Sequence, residues 1–246
     1  MLHNIWDVAL YKPLINSLAF LVSVIPGADI GIAIIILTIL VKLVLSPLSH
    51  KSIVSQAEMK KLEPQLAEIK NSGKSKEEQA KMTMQLYKDN KVNPFSGCLL
   101  VLVQIPIIFA LYYVFFKGLS FDSSLLYSFI KQPENINMQF LGLIDIGGKS
   151  IVLALLAGAS QYFQAHFMPK ATIKSPAFSE KMSFQESLAK SMQLQMKYVF
   201  PVVITFIAYS ISGAVALYWI TSNIFSIGQQ LYAEKQSKTK DLQKAV

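Results

Sequence analysis

The sequence predicts an all-α polytopic membrane protein: a five-span helical bundle with an N-terminal interfacial helix and a cytosolic helical hairpin. Three observations predict it. Of 246 residues, 52% are hydrophobic and 15% charged, and several apolar runs approach the ~20 residues that cross a bilayer as a helix. The charges collect between those runs, with one exception at Lys42. The polar groups that do fall inside the runs recur at three- and four-residue spacing, which aligns them along helix faces.

Residues 1–29 hold only about a dozen apolar positions between Pro13 and Pro26, short for a span. This segment is expected to lie in the extracytoplasmic interface as an amphipathic helix, with Trp6 and Tyr11 at headgroup depth. It does not read as a cleavable signal peptide: Lys12 stands alone before the apolar stretch, and Pro26-Gly27-Ala28-Asp29 is a poor cleavage site. Span one is residues 30–50.

Residues 51–93 carry nine lysines and six acids. Met59, Leu62, Leu66 and Ile69 recur at helical spacing before Asn71-Ser72-Gly73 breaks the pattern. Ser75 with Glu78 reads as a capping box opening a second helix through Met82, Leu86 and Tyr87, which stops before Asn93-Pro94. The two helices make the cytosolic hairpin.

Span two is residues 94–117, with Gln104 and Pro106 inside; Pro106 removes a helix hydrogen bond and predicts a kink. Residues 118–149 form a polar extracytoplasmic loop. Its end, Gly147-Gly148-Lys149-Ser150, lacks the spacing of a phosphate-binding loop and is read as a turn. Span three is residues 150–168, and residues 169–197 are a cytosolic loop with five lysines and two glutamates. Span four, residues 198–213, is short and turns through Ser212-Gly213 into span five, residues 214–232. Residues 233–246 read as a mobile, lysine-rich cytosolic tail.

All 23 basic residues are lysines, and the net charge is +8. The hairpin, the 169–197 loop and the tail hold eighteen of them; Lys12, Lys117, Lys131 and Lys149 lie on the other side. The excess orients the chain with its N-terminus outside and its C-terminus in the cytosol. The positive balance therefore points to membrane orientation first, then to anionic lipid or a ribosomal surface, and not to specific nucleic-acid binding. The single Cys98 excludes an intrachain disulfide, and with three scattered histidines it offers no metal site. No cofactor is expected.

Lys42 is the one charge within the spans. A cation at bilayer depth costs about 2.5–3.5 kcal/mol on insertion scales and is a functional candidate by default. Thr38 and Ser46, each four residues away, share its helix face. Eight residues separate it from His50, about 12 Å along the helix, further than a lysine comfortably reaches. Asp29, Asp122 and Asp145 all lie in flanks or loops, so no acid within the spans can pair with it. Either Lys42 enters a hydrated cavity open to the cytosol or it snorkels to the cytosolic interface. Other spans add Gln104, Gln161, Gln164, Thr205 and Tyr209, and span five adds Trp219, Ser222, Asn223, Ser226 and Gln230. The alternative for many of these is plain interhelical hydrogen bonding.

At Asn93-Pro-Phe-Ser-Gly-Cys-Leu-Leu-Val-Leu-Val-Gln-Ile-Pro106 and Leu217-Tyr-Trp-Ile-Thr-Ser-Asn-Ile-Phe-Ser-Ile-Gly-Gln-Gln230 the sequence resembles the YidC family of membrane protein insertases, relatives of the mitochondrial Oxa and chloroplast Albino proteins. The likeness covers nearly the whole chain, in the short form without a large extracytoplasmic domain. It implies five core spans, a cytosolic hairpin and a short fourth span. It also implies an insertase of the bacterial inner membrane, not an enzyme, that receives nascent membrane proteins alone or beside the Sec translocon, with the ribosome a further partner; the chain is expected to work as a monomer. Lys42 matches the family's groove cation, where arginine is usual; Thr38 matches a groove threonine and Tyr218-Trp219 a client-contacting aromatic pair. The client groove expected here is Lys42, Thr38, Ser46, Gln104, Tyr218, Trp219, Ser222 and Asn223. The rival reading is a small anion transporter or channel subunit using Lys42, although no internal repeat of the kind common in transporters is found.

Overall fold

A computed structural model describes residues 6–93, 96–116, 121, 124–168, 191 and 194–244. Most of the 169–197 loop lies outside the described residues, as does the Cys98 side chain. The chain is built almost wholly of helices: α1 (Lys12–Val24), α2 (Ile30–Lys61), α3 (Glu63–Asn71), α4 (Lys76–Asp89), α5 (Ser96–Phe116), α6 (Ile151–Phe167), α7 (Phe200–Ile211) and α8 (Gly213–Lys244). Two short strands, β1 (Gln139–Phe140) and β2 (Ile144–Asp145), form an antiparallel hairpin between α5 and α6.

A π-helical turn, Asp7–Tyr11, leads into α1, and Pro13 falls in the first turn of α1, where its missing N–H costs nothing. Helix therefore runs without interruption over Asp7–Val24, which is long and apolar enough to cross a membrane by length and composition. The helix exceeds the short stretch between Pro13 and Pro26 because Pro13 in a first turn does not interrupt it. Ile30–Lys61 passes the same test.

Helix α2 continues through Pro47 to Lys61, so the first span and the first arm beyond it are one rod, not two segments divided at residue 50. The break comes at Leu62 because Pro64 suits only the first turn of a new helix, α3. The Ser75–Glu78 capping box at the start of α4 is formed: Glu78 N–H donates to Ser75 Oγ at 3.3 Å, and Ser75 N–H to Glu78 Oε2 at 3.2 Å. Helices α3 and α4 pack on each other. At the other end of the chain, α8 runs unbroken to Lys244, so the segment expected to be a mobile tail continues the last helix.

In the bundle, α7 packs on α6, α6 on α8, α8 on α2, and α2 on α5 and α1. Small residues make the close approaches: Ala33, Ala110, Ala154, Ala157 and Ala216 are fully buried. Helices α6 and α7 meet at Gly158, where an added Cβ would overlap Thr205 Oγ1 and come within 2.9 Å of the Pro201 carbonyl oxygen. The outward faces are apolar, with Leu155, Leu156, Val202, Phe206 and Ile224 all at least half exposed, as lipid contact requires.

The segment 124–149 caps one end of this bundle. Ile30 N–H donates to Asn137 O (3.1 Å), Gly213 N–H to Gly148 O (2.8 Å) and Ala214 N–H to Ile146 O (2.9 Å). The first turns of α2 and α8 are thus tied to the same loop, and the two helices run parallel.

Candidate functional site

Parallel α2 and α8 place two polar series face to face. Helix α2 carries Thr38, Lys42 and Ser46 at four-residue intervals, and α8 carries Tyr218, Ser222 and Ser226 at the same interval, followed by Gln229. Lys42 Nζ donates to Ser226 Oγ at 3.2 Å, and Ser226 Oγ donates to Ser222 O at 2.9 Å. One turn further along, Gln229 Nε2 donates to Ser46 Oγ at 3.2 Å. The partners are 184 and 183 positions apart, the near-constant offset of two helices running in one direction.

Lys42 is half-buried, and among the described residues no carboxylate forms an ion pair with it. Its ammonium keeps donor capacity beyond the single hydroxyl that Ser226 offers. The site therefore presents a cation with hydrogen-bonding neighbours and no counter-charge.

Toward the 124–149 cap the setting changes. Gln104 Nε2, from α5, donates to the Tyr218 hydroxyl. Tyr218 precedes Ser226 by eight residues, about 12 Å along the axis. Beside this pair lies a narrow crevice lined by Leu14, Thr38, Val41, Ile107, Leu111 and Tyr218, with room for about one water molecule. Thr38 lines it but donates its hydroxyl proton to Ile34 O at 2.6 Å, leaving only acceptor capacity. The ladder is one-sided in its α2–α8 bonds: among the described residues these run from Lys42 away from the cap, while on the cap side Thr38 bonds within α2 and Gln104 bonds Tyr218 beside a narrow, mostly apolar crevice.

Of the residues expected in the groove, Lys42 and Ser46 face α8 through Ser226 and Gln229, while Ser222 and Gln104 both hydrogen-bond Tyr218 toward the cap and Thr38 lines the crevice beside it. Asn223 does not join them: its Nδ2 donates to Ser160 Oγ of α6 at 3.0 Å, the interhelical bond that was its alternative. Trp219 is buried, its ring tilted 58° to that of Tyr218 with centroids 6.4 Å apart. Thr205 and Gln161 are likewise spent within their own helices, on Pro201 O and Gln164 Oε1.

Two residues escaped the sequence reading. Ser226 is among the polar groups of span five but not in the expected groove, and Gln229 is not singled out. The signal was present in the four-residue periodicity of α8, but its match to α2 requires knowing that the helices are parallel neighbours. Among the described residues no group of three His, Cys, Asp or Glu side chains converges on a common point.

A family model described as "60Kd inner membrane protein" matches residues 20–241. A protein of Pelobacter propionicus named membrane protein insertase YidC is 36% identical over 234 residues, 94% of this chain and 39% of its own length. A Geotalea daltonii protein of the same name is 35% identical, again over 94% of this chain and 38% of its own. A third of that name, from Fusobacterium nucleatum, is 34% identical over 92% of this chain and 98% of its own length. The chain thus spans under half the length of the first two relatives and nearly all of the third.

Proposed function

The chain belongs to the 60Kd inner membrane protein family, and from that premise we propose that it is a membrane protein insertase whose client groove is the α2–α8 face around Lys42. The observation that carries the reading is the one-sidedness of the polar ladder. Lys42 and the rungs beyond it give a nascent chain a wet path into the bundle from one end, while the Gln104–Tyr218 pair and the crevice beside Thr38 form its floor. A polar flank of a client entering part-way faces a dry path shorter than the ~30 Å of a full hydrocarbon core. Lys42 attracts acidic groups in that flank, and Ser222, Ser226 and Ser46 exchange hydrogen bonds with it. The client's apolar segment then passes into lipid, driven by its own burial at about 25 cal/mol per Å². No bond is made or broken, and no nucleotide is consumed.

In this reading α2, α5, α6, α7 and α8 are the five spans, the α3–α4 hairpin is cytosolic, the N-terminus is outside and the C-terminus in the cytosol. The lysine excess supports that orientation. Three contacts support an interfacial α1. Trp6 meets Tyr113 near the end of α5, Asn16 bonds Leu125 O and the Tyr127 N–H, and the chain just past α1 joins Asn137. Start, middle and end thus all touch the same end of the bundle, as a helix lying along the surface does. Partners in this reading are nascent membrane proteins and anionic lipid, with the ribosome and the Sec translocon engaged through the basic cytosolic surfaces. The anion-transport alternative for Lys42 gains no support from the relatives.

The test is site-specific photocrosslinking from positions 42 and 218 to a stalled nascent membrane protein. Adducts from 42 to the client's polar flank are expected. A chain that yields no client adduct at either position, yet moves anions in proteoliposomes, sinks the reading.

A further inference from the structure

The turn between β1 and β2 breaks a local rule. Leu143 N–H donates to Phe140 O at 3.0 Å, closing a turn whose central residues, Leu141 (φ 53°) and Gly142 (φ 70°), both have positive φ. Such a turn favours Asn-Gly or Gly-Gly, since a bulky side chain is strained at positive φ. Here leucine takes the strained place, and it buries little there: Leu141 is 60% and Leu143 81% exposed.

The surroundings hold the strain in place. Asp29 Oδ2 accepts the Leu141 N–H at 2.8 Å, while Asp29 Oδ1 caps α2 through Gly31 and Ile32 N–H. The Phe140 ring lies so close over Gly31 that any side chain there would overlap it. The hairpin therefore hangs beside the first turn of α2, level with the start of the apolar run. A strained, clamped backbone that presents two leucines points to a use for those side chains.

We propose that Leu141 and Leu143 are a lipid anchor, inserted into the leaflet that holds the N-terminal end of α2. The occupant is acyl chain, because the tip is tied to Asp29, one residue before the apolar run of α2 begins, and it presents two exposed leucines there. The anchor fixes the height of the whole cap, and through Asp29 and Gly213 the depth of α2 and α8. It requires only that α2 spans the bilayer, and stands apart from client transfer.

The test uses the full chain, carrying Cys98→Ser, in nanodiscs holding a single copy and no other protein. A nitroxide is attached at Leu143→Cys, and for comparison at Glu134→Cys on the exposed part of the same loop. Collision with oxygen should exceed collision with a water-soluble nickel complex at 143 and fall below it at 134, the ratios differing several-fold. Adding Leu141→Asn, which suits the positive φ, should lower the ratio at 143. Nickel preference at 143, or oxygen preference only in discs with two or more copies, overturns the proposal. So does a ratio at 143 that Leu141→Asn leaves unchanged.

Discussion

Lys42 sits where a charge is expensive, and its surroundings show how the expense is met in part. One hydrogen bond to Ser226 occupies one of three ammonium protons, and the rungs toward Ser46 and Gln229 leave the others a polar outlet. Lys42→Arg keeps the charge, so insertion of clients with acidic flanks should persist; Lys42→Glu should abolish it, measured as the protease-protected client fraction in proteoliposomes. Equal protection with glutamate would remove electrostatic recruitment. A cysteine at position 42 should react with a water-soluble maleimide only from the cytosolic side; labelling from outside would mean the floor at Gln104–Tyr218 is open. Ser226→Ala removes a hydrogen bond to a charged group, worth about 1.5–3 kcal/mol when buried and less at half-burial. It should lower insertion of acidic-flank clients while sparing clients with neutral flanks.

At the scale of elements, stability rests on close backbone approach in a setting where lipid removes most of the hydrophobic drive. Gly158→Ala forces a methyl against Thr205 and the Pro201 carbonyl, and overpacking of this kind costs about 1–3 kcal/mol. The α6–α7 pair should therefore melt earlier in detergent. Gly228→Ala meets nothing within 4 Å in α8 and should leave the melting temperature unchanged or slightly higher, since alanine is the better helix former. Equal losses from both substitutions would contradict the packing. The helix ends were largely legible in sequence: the Ser75–Glu78 box is a local signal and formed as read. The break at Leu62 is not expected from sequence because the apolar periodicity of Met59, Leu62, Leu66 and Ile69 runs smoothly across it, and only Pro64 marks a new first turn.

At the scale of the molecule, Asp29 joins the cap to the bundle. Its buried carboxylate accepts from Gly31, Ile32 and Leu141 N–H, two at the start of α2 and one in the hairpin. Asp29→Ala leaves those donors unmet, a loss of about 1–3 kcal/mol for each that stays buried. The 124–149 segment should then be cut faster by protease added outside, with Asp29→Asn intermediate. Unchanged cleavage would mean that the backbone bonds to Asn137, Ile146 and Gly148 hold the cap alone.

The sequence by itself determined the helical membrane character, the lysine set within an apolar run and the periodic polar faces, because each is a local consequence of residue type and spacing. It also carried the family likeness. It did not determine that α2 and α8 lie parallel, that Ser226 and Gln229 face Lys42 and Ser46, or that Asn223 turns to Ser160 instead. Nor did it show the ordered cap, read as a loop for want of any apolar period. Those features depend on which helix faces meet, and partners more than 60 residues apart leave no mark on either segment alone. Tertiary packing decided them, because a polar group within a bundle takes whichever neighbour the backbone geometry brings within reach.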